Sequence, residues 1–327
     1  MNSFAKEFLR DDFGAERRIF LGAFGKHPGW DDHIDDLGLE TESLVEAKRL
    51  LYLEGISGEI GAWEQLDGGA QVAFRHVFVW QREDQAIIGR IWASSDGKKR
   101  THYPMVVCAH CIGTGQPLVL ETLLPWLEEM QVRAMATKSA DDVREMVVQF
   151  RDALREWLGT TNEDSTPPEF DAEAFFNEID LVGEEDRMVK TLWQLHESQY
   201  AAGKYKPRAG WSPEHVRVLA STASPSRSIY FWKQVLASQL DPSAPVLLSV
   251  PLDQYWMDVI AGEPTPRELF SLRASPRALS LAGDGATEPP ESFRETAREI
   301  LQHAASGRQD ELPANAPTSW MSRLLGR

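Results

Sequence analysis

One short stretch, Gly25-Lys26-His27-Pro28-Gly29-Trp30-Asp31-Asp32-His33, holds an amine, two imidazoles, two carboxylates and an indole. Such groups can do two kinds of chemistry. His27, Asp31, Asp32 and His33 can hold a divalent metal or pass protons, which reads as a metal-assisted hydrolase. Their spacing, however, matches no metal motif with a mechanism behind it. Alternatively Trp30 anchors a protein partner while Lys26, Asp31 and Asp32 set its register. Asp35 and Asp36 extend the acidic run, which also fits a solvated loop.

A second place to watch is Ser95-Asp96-Gly97-Lys98-Lys99-Arg100. Aspartate before glycine makes a hairpin turn, with Arg100 in solvent. The other reading pairs Arg100 with the carboxylate of Asp31 or Asp32 through bidentate hydrogen bonds, tying the hairpin to the glycine loop. Other patterns fall short. Gly22-Ala23-Phe24-Gly25-Lys26 lacks the full phosphate-loop spacing, His196-Glu197 lacks a second zinc histidine at Tyr200, and Ser95-Asp96-Gly97-Lys98 sits on a turn instead of a helix start. Cys108 and Cys111 end a strand-like run, where they face opposite sides, and read as buried structural cysteines. No cofactor and no metal is implied.

The elements that position these residues follow from periodicity. Ile19-Phe20-Leu21 reads as a strand, and the glycines and proline after it predict a fixed loop leaving the strand end. Ser43 and Glu46 fit a capping box for a helix running to Gly55. Residues 74–80, 86–92 and 103–110 read as three strands of an antiparallel meander. Pro125 starts or kinks a helix within 120–136, and Ser139 caps another ending at Gly159. An acidic, proline-bearing loop spans 160–169, and a helix spans 184–200. Strands are predicted near 216–220 and 245–250, a helix over 226–240, and a helix capped by Asp253 that stops at Gly262. A linker, 283–290, and a helix, 291–305, precede a small, polar stretch and an apolar, basic tail with Trp320, Met321, Leu324 and Leu325. That tail reads either as a frayed end or as a helical turn for a partner's groove, which would make the chain a structural adaptor.

The chain has 327 residues, with 34 Lys and Arg against 50 Asp and Glu, a formal net charge of -16. That balance argues against duplex nucleic acid and against an anionic membrane surface, and it favours basic partner surfaces. Two cysteines rule out a disulfide framework and suggest a reducing compartment. No signal-peptide core and no spanning run is visible, so a cytoplasmic protein without direct membrane insertion is predicted. The fold class is α/β, with an antiparallel or mixed central sheet flanked by helices and a C-terminal helical extension. Residues 1–282 form one domain in this reading, and 283–327 the extension.

The motifs themselves resemble the TagF (also ImpM) family of bacterial type VI secretion accessory proteins. Those proteins carry a Gly-Lys-x-Pro-x-x-x-Asp-Phe loop, matched here from Gly25, Lys26 and Pro28 to Asp32, with His33 in the aromatic's place. Their Asp-x-x-x-Arg-x-x-Pro segment is approximated by Asp96, Arg100 and Pro104, with one extra residue before the proline. The resemblance spans residues 17 to 275 and leaves the extension outside. It implies a non-enzymatic α/β regulator that acts after translation by binding a forkhead-associated scaffold of the secretion system. It further implies that Gly25, Lys26, Pro28, Trp30, Asp31, Asp32, Asp96, Arg100 and Pro104 line one crevice.

Overall fold

The computed structural model describes residues 17–56, 74–113, 116–160, 175, 178–179, 181–201, 213–237, 240, 244–273, 279–284 and 286–306. The acidic loop 160–169, apart from Thr160, and the tail beyond residue 306 lie outside the described residues.

Eight strands build the sheet: β1 (Arg18–Lys26), β2 (His33–Leu37), β3 (Arg75–Arg82), β4 (Gln85–Ala93), β5 (Pro104–Ile112), β6 (Glu214–Leu219), β7 (Val246–Pro251) and β8 (Trp256–Ala261). They lie in the order β2-β1-β5-β4-β3-β7-β8-β6, and every neighbouring pair is antiparallel. The meander β3–β4–β5 follows from three β-rich runs joined by short turns. The two strand-rich parts of the chain share this one sheet, because β3 pairs with β7 with Val77 opposite Val250.

Both faces of the sheet are covered, giving three layers. One face packs under α2 (Gln116–Ala136), α3 (Ala140–Thr160), α4 (Leu181–Ala201), α5 (Pro225–Ala237) and α6 (Glu291–Ser306), whose Leu127, Val147, Leu192, Trp232 and Phe293 join Val79, Ile88 and Val107 in one core. The other face packs under α1 (Glu42–Ala47), a π-helical turn (Lys48–Ile56) and a 3-10 turn (Glu268–Arg273), around Phe24, Tyr52, Phe78 and Trp80. Cys108 and Cys111 are buried and divided between these two cores, as alternation along a continuing strand requires. No helix among the described residues is long and apolar enough to cross a membrane.

Several elements differ from the sequence reading. β1 does not stop at Leu21 but continues through the glycines to Lys26, because an irregularity between Ala23 and Gly25 absorbs the bend while Gly22 and Gly25 stay paired to β5. Part of the acidic run forms the short edge strand β2 instead of a loop. Thr41, not Ser43, caps α1, accepting from Leu44 N, while the Ser43 hydroxyl donates to Gln85. α2 begins at Gln116 and runs through Pro125. Losing that backbone bond costs about 3 kcal/mol, yet burying Leu123, Leu124, Leu127 and Met130 returns roughly 1.5–3 kcal/mol for each. The helix expected after Asp253 is strand β8. Buried on both faces and paired on both edges, Trp256–Ile260 shows no clean alternation, and Asp258 serves a buried ion pair.

Candidate functional site

The site begins with backbone geometry. Gly25 has φ +105, and a Cβ there would lie 2.3 Å from the carbonyl oxygen of Pro104. Only glycine fits both the left-handed backbone and that approach. Lys26 lies just past the last β1–β5 pair, still opposite His33 of β2, and its ammonium meets the hairpin that joins β4 to β5.

Lys26 is buried, and its Nζ lies 2.6 Å from Asp96 Oδ2 and 3.0 Å from Asp32 Oδ1. Arg100 Nε donates to the same Asp96 Oδ2 at 2.6 Å, and its Nη2 donates to the Asp31 carbonyl at 2.9 Å and sits 3.3 Å from Asp32 Oδ1. The second Asp96 oxygen accepts from the backbone N–H of Lys98 and of Arg100, each at 3.0 Å. Gly97 N donates to the Trp30 carbonyl at 2.6 Å. Asp96 thus serves the turn and the network together. Burial works to raise its carboxyl. Donation from Lys26 and from the backbone and side chain of Arg100 outweighs this and holds it well below the usual carboxylate range. The Lys26 hydrogen bond lowers Asp32 as well, and the hydrogen bond to Asp96 raises Arg100.

Arg100 therefore joins the hairpin to the loop, but not as the expected bidentate pair. Its main carboxylate is Asp96, it takes Asp31 through the main chain, and it reaches one oxygen of Asp32. The Asp31 side chain is exposed.

The four side chains of the metal reading do not converge. His27 is buried with both ring nitrogens engaged: Gly29 N donates to Nδ1 at 3.0 Å, so Nε2 carries the proton and donates to the Ala134 carbonyl at 2.9 Å. Burial pushes its pKa down, and the Ala134 bond offsets that in part. His33 points elsewhere, with Nδ1 2.7 Å from the Tyr52 hydroxyl and Nε2 3.4 Å from Asp32 Oδ1. Among the described residues no three His, Cys, Asp or Glu side chains are placed to hold a metal ion.

Trp30 is half-buried, edge-on to His27, with the Arg144 guanidinium 5.2 Å from its ring centre. Next to it, Gly29 abuts the start of α3, where a Cβ would fall 2.5 Å from Ala140 N. A recess of about 320 Å³ opens beside Pro28, lined by His27, Trp92, Ser94, Ser95, Thr101 and Met135 among others.

Three contributors escape the sequence reading. Tyr52 and Tyr103 flank His33, and Lys26 lies 5.9 Å from the Tyr103 ring centre. Tyr103 directly precedes Pro104, so its place beside the strand start is open to inference. Tyr52 comes from the π-helical turn, which carries no pattern in the sequence. Burial, followed by Tyr103, Asp32 and Asp96, pushes its hydroxyl pKa up. The third is Arg144, from the first turns of α3.

A separate polar row lies across β8 and β6. Arg217 and Asp258 are buried and doubly bonded at 2.9 and 3.1 Å, with Arg217 4.6 Å from the Trp256 ring centre. Nearby strands hold His76 and Ser249, whose Nε2 and Oγ find no hydrogen-bond partner among the described residues.

The chain matches no protein-family model, and no curated protein emerges as its relative.

Proposed function

We propose that this chain is a non-enzymatic binding protein of the type VI secretion accessory kind. It works in the cytoplasm through protein–protein contact at the crevice of Gly25, Lys26, Pro28, Trp30, Asp31, Asp32, Asp96, Arg100 and Pro104, and its partner is a forkhead-associated scaffold. The observation that carries this reading is the shared use of Asp96 by Lys26 and Arg100, each at 2.6 Å, which locks two distant segments into one surface. Both carboxylates of the network are committed to cations and held ionised, which suits a rigid platform better than proton transfer. A surface already ordered gives up little conformational entropy on binding. Asp32 and Arg100 keep an outward side, with side chains 66% and 47% exposed, and can set register against a partner.

The test is coexpression with the forkhead-associated scaffold of a type VI secretion cluster from the native host, followed by size-exclusion chromatography at micromolar concentration. Co-elution is expected, with affinity reduced about tenfold or more in Trp30→Ala. A scaffold that elutes apart from the wild-type chain would overturn the reading.

A further inference from the structure

Resting on that reading of the crevice as a docking surface, we infer that the adjoining recess, which shares Pro28 with it, takes an acidic segment of the partner: an apolar residue seated between Asp or Glu neighbours. This runs against the whole-chain charge, which favours a basic partner, and the reason is local.

The network consumes its own acids. Asp96 and Asp32 are neutralised by Lys26 and Arg100. Three exposed lysines lie in the chain segments that adjoin the recess lining. Ser94, Ser95 and Thr101 form the base of the hairpin and line the recess, and Lys98 and Lys99 stand at its tip, exposed. Lys99 is held there in the left-handed region at φ 63, with its N–H on the Asp96 carbonyl. On the opposite wall, Met135 lies at the end of α2, and exposed Lys138 follows three residues later. None of these three lysines makes an ion pair among the described residues, whereas Arg82, Arg90, Arg151, Arg217, Arg294 and Lys190 all do. The same segments carry acids: Asp141, Glu128 and Glu129 are paired with Arg144, Arg90 and Arg133, which leaves Asp31 and Asp142. Asp142 accepts from the Thr137 hydroxyl at 2.7 Å, and its own N–H donates to Ser139 Oγ, so part of its capacity is spent on the loop.

The recess supplies the apolar half of the site. Trp92, Ala93, Pro28 and Ala134 form its wall, and Met135 at its lip is 64% exposed, with Val132 62% exposed one turn earlier on α2. About 320 Å³ accommodates a leucine- or phenylalanine-sized side chain. The Ser94 and Ser95 hydroxyls beside it can donate to a peptide carbonyl or a carboxylate. A short acidic segment suits this place better than a long polyanion. Screening limits each charge to about 8 Å, so a short segment answers to the charges next to the recess, while a nucleic acid would also meet the rest of a chain of net charge -16.

Fluorescence anisotropy tests this with three labelled peptides: glutamates around a central leucine, glutamates alone, and lysines around a central leucine. The first is expected to bind best and to weaken as salt rises. The triple variant Lys98→Glu/Lys99→Glu/Lys138→Glu, which alters only exposed side chains, is expected to lose about tenfold or more in affinity for it. Met135→Asp is expected to abolish the advantage of the leucine-bearing peptide over glutamates alone. Equal or tighter binding of the lysine peptide, or a triple variant within about twofold of wild type, overturns the inference. If the scaffold co-elutes with the triple variant as with wild type, the acidic-segment assignment fails and the docking reading stands. If the acidic peptide binds and the scaffold does not, the reverse holds.

Discussion

Asp96 Oδ2 lies 2.6 Å from Lys26 Nζ and 2.6 Å from Arg100 Nε, so one carboxylate oxygen holds the end of β1 and the β4–β5 hairpin at once. The side chain of Asp96 is completely buried. Removing any one member leaves a charge without its counterpart.

Asp96→Asn and Lys26→Met are each expected to lower the thermal midpoint, and the double variant to lose less than the sum of the two. Thermal unfolding of all four proteins checks this through a double-mutant cycle. Because Asp96 titrates lower in the fold than in the unfolded chain, its contribution is complete above the ordinary carboxylate pKa. It is lost as pH falls through that value and below. The Asp96→Asn protein should therefore show a flatter stability profile on the acid side of about pH 4.

Two glycines predict opposite signs. Gly25→Ala forces a side chain into φ +105 and against the Pro104 carbonyl, and is expected to cost more than about 2 kcal/mol. Gly159 lies near the end of α3, and a Cβ added there would meet nothing within 4 Å, so Gly159→Ala is expected to stabilise by about 0.5–1 kcal/mol. Denaturant titrations of both variants give the comparison. Equal effects of one sign would contradict the role assigned to Gly25.

Acid lability should originate at buried imidazoles. Burial lowers His76 and His110 to about 4. Each is uncharged in the fold at neutral pH and protonated more readily once unfolded, so stability falls as pH drops from about 6.5 towards 4. For His76, wholly buried with Nε2 unpartnered among the described residues, the penalty is on the order of 3 kcal/mol. His76→Leu is expected to remove much of that slope, measured as the denaturant midpoint at pH 7 and pH 5. A slope unchanged by the substitution would place the lability elsewhere.

The cysteines should be silent in the native state. Cys108 is buried, and burial pushes its thiol up to about 12. A chromogenic thiol reagent is expected to find neither Cys108 nor Cys111 until denaturant is added, and then both. Rapid reaction of the native protein would contradict the packing of β5.

The parts legible in the sequence are those in which one physical signal stands alone. β3, β4 and β5 are buried on both faces, like β8, but they are runs rich in Val, Ile, Phe and Trp joined by marked turns. Ser139 accepts from Asp142 N at the start of α3 as its position predicts. The two segments that meet at Asp96 are marked by residue type, since a lysine, an arginine and aspartates beside glycine-rich turns have few uses in isolation. What escapes is set by tertiary context. β8 is buried on both faces, so period two vanishes into an apolar run. Packing of α2 overrides the Pro125 break. His27 looks like a ligand by type, yet the backbone of Gly29 and Ala134 occupies both its nitrogens. Tyr52 enters through a π-helical turn, for which no local propensity exists.

The seam between β3 and β7 has a consequence for how the chain is made. During synthesis β3 emerges with Phe78 and Trp80 on one side and Val77 and Val79 on the other, well before its distant partner around Val250. All of the chain between Val77 and Val250 must leave the ribosome before that edge can be sealed. Pairing over such a sequence distance is slow, and an open apolar edge invites association between nascent chains. Recombinant yield should thus respond to chaperone supply and to growth temperature more than to promoter strength, and fragments ending before β7 should accumulate as inclusion bodies.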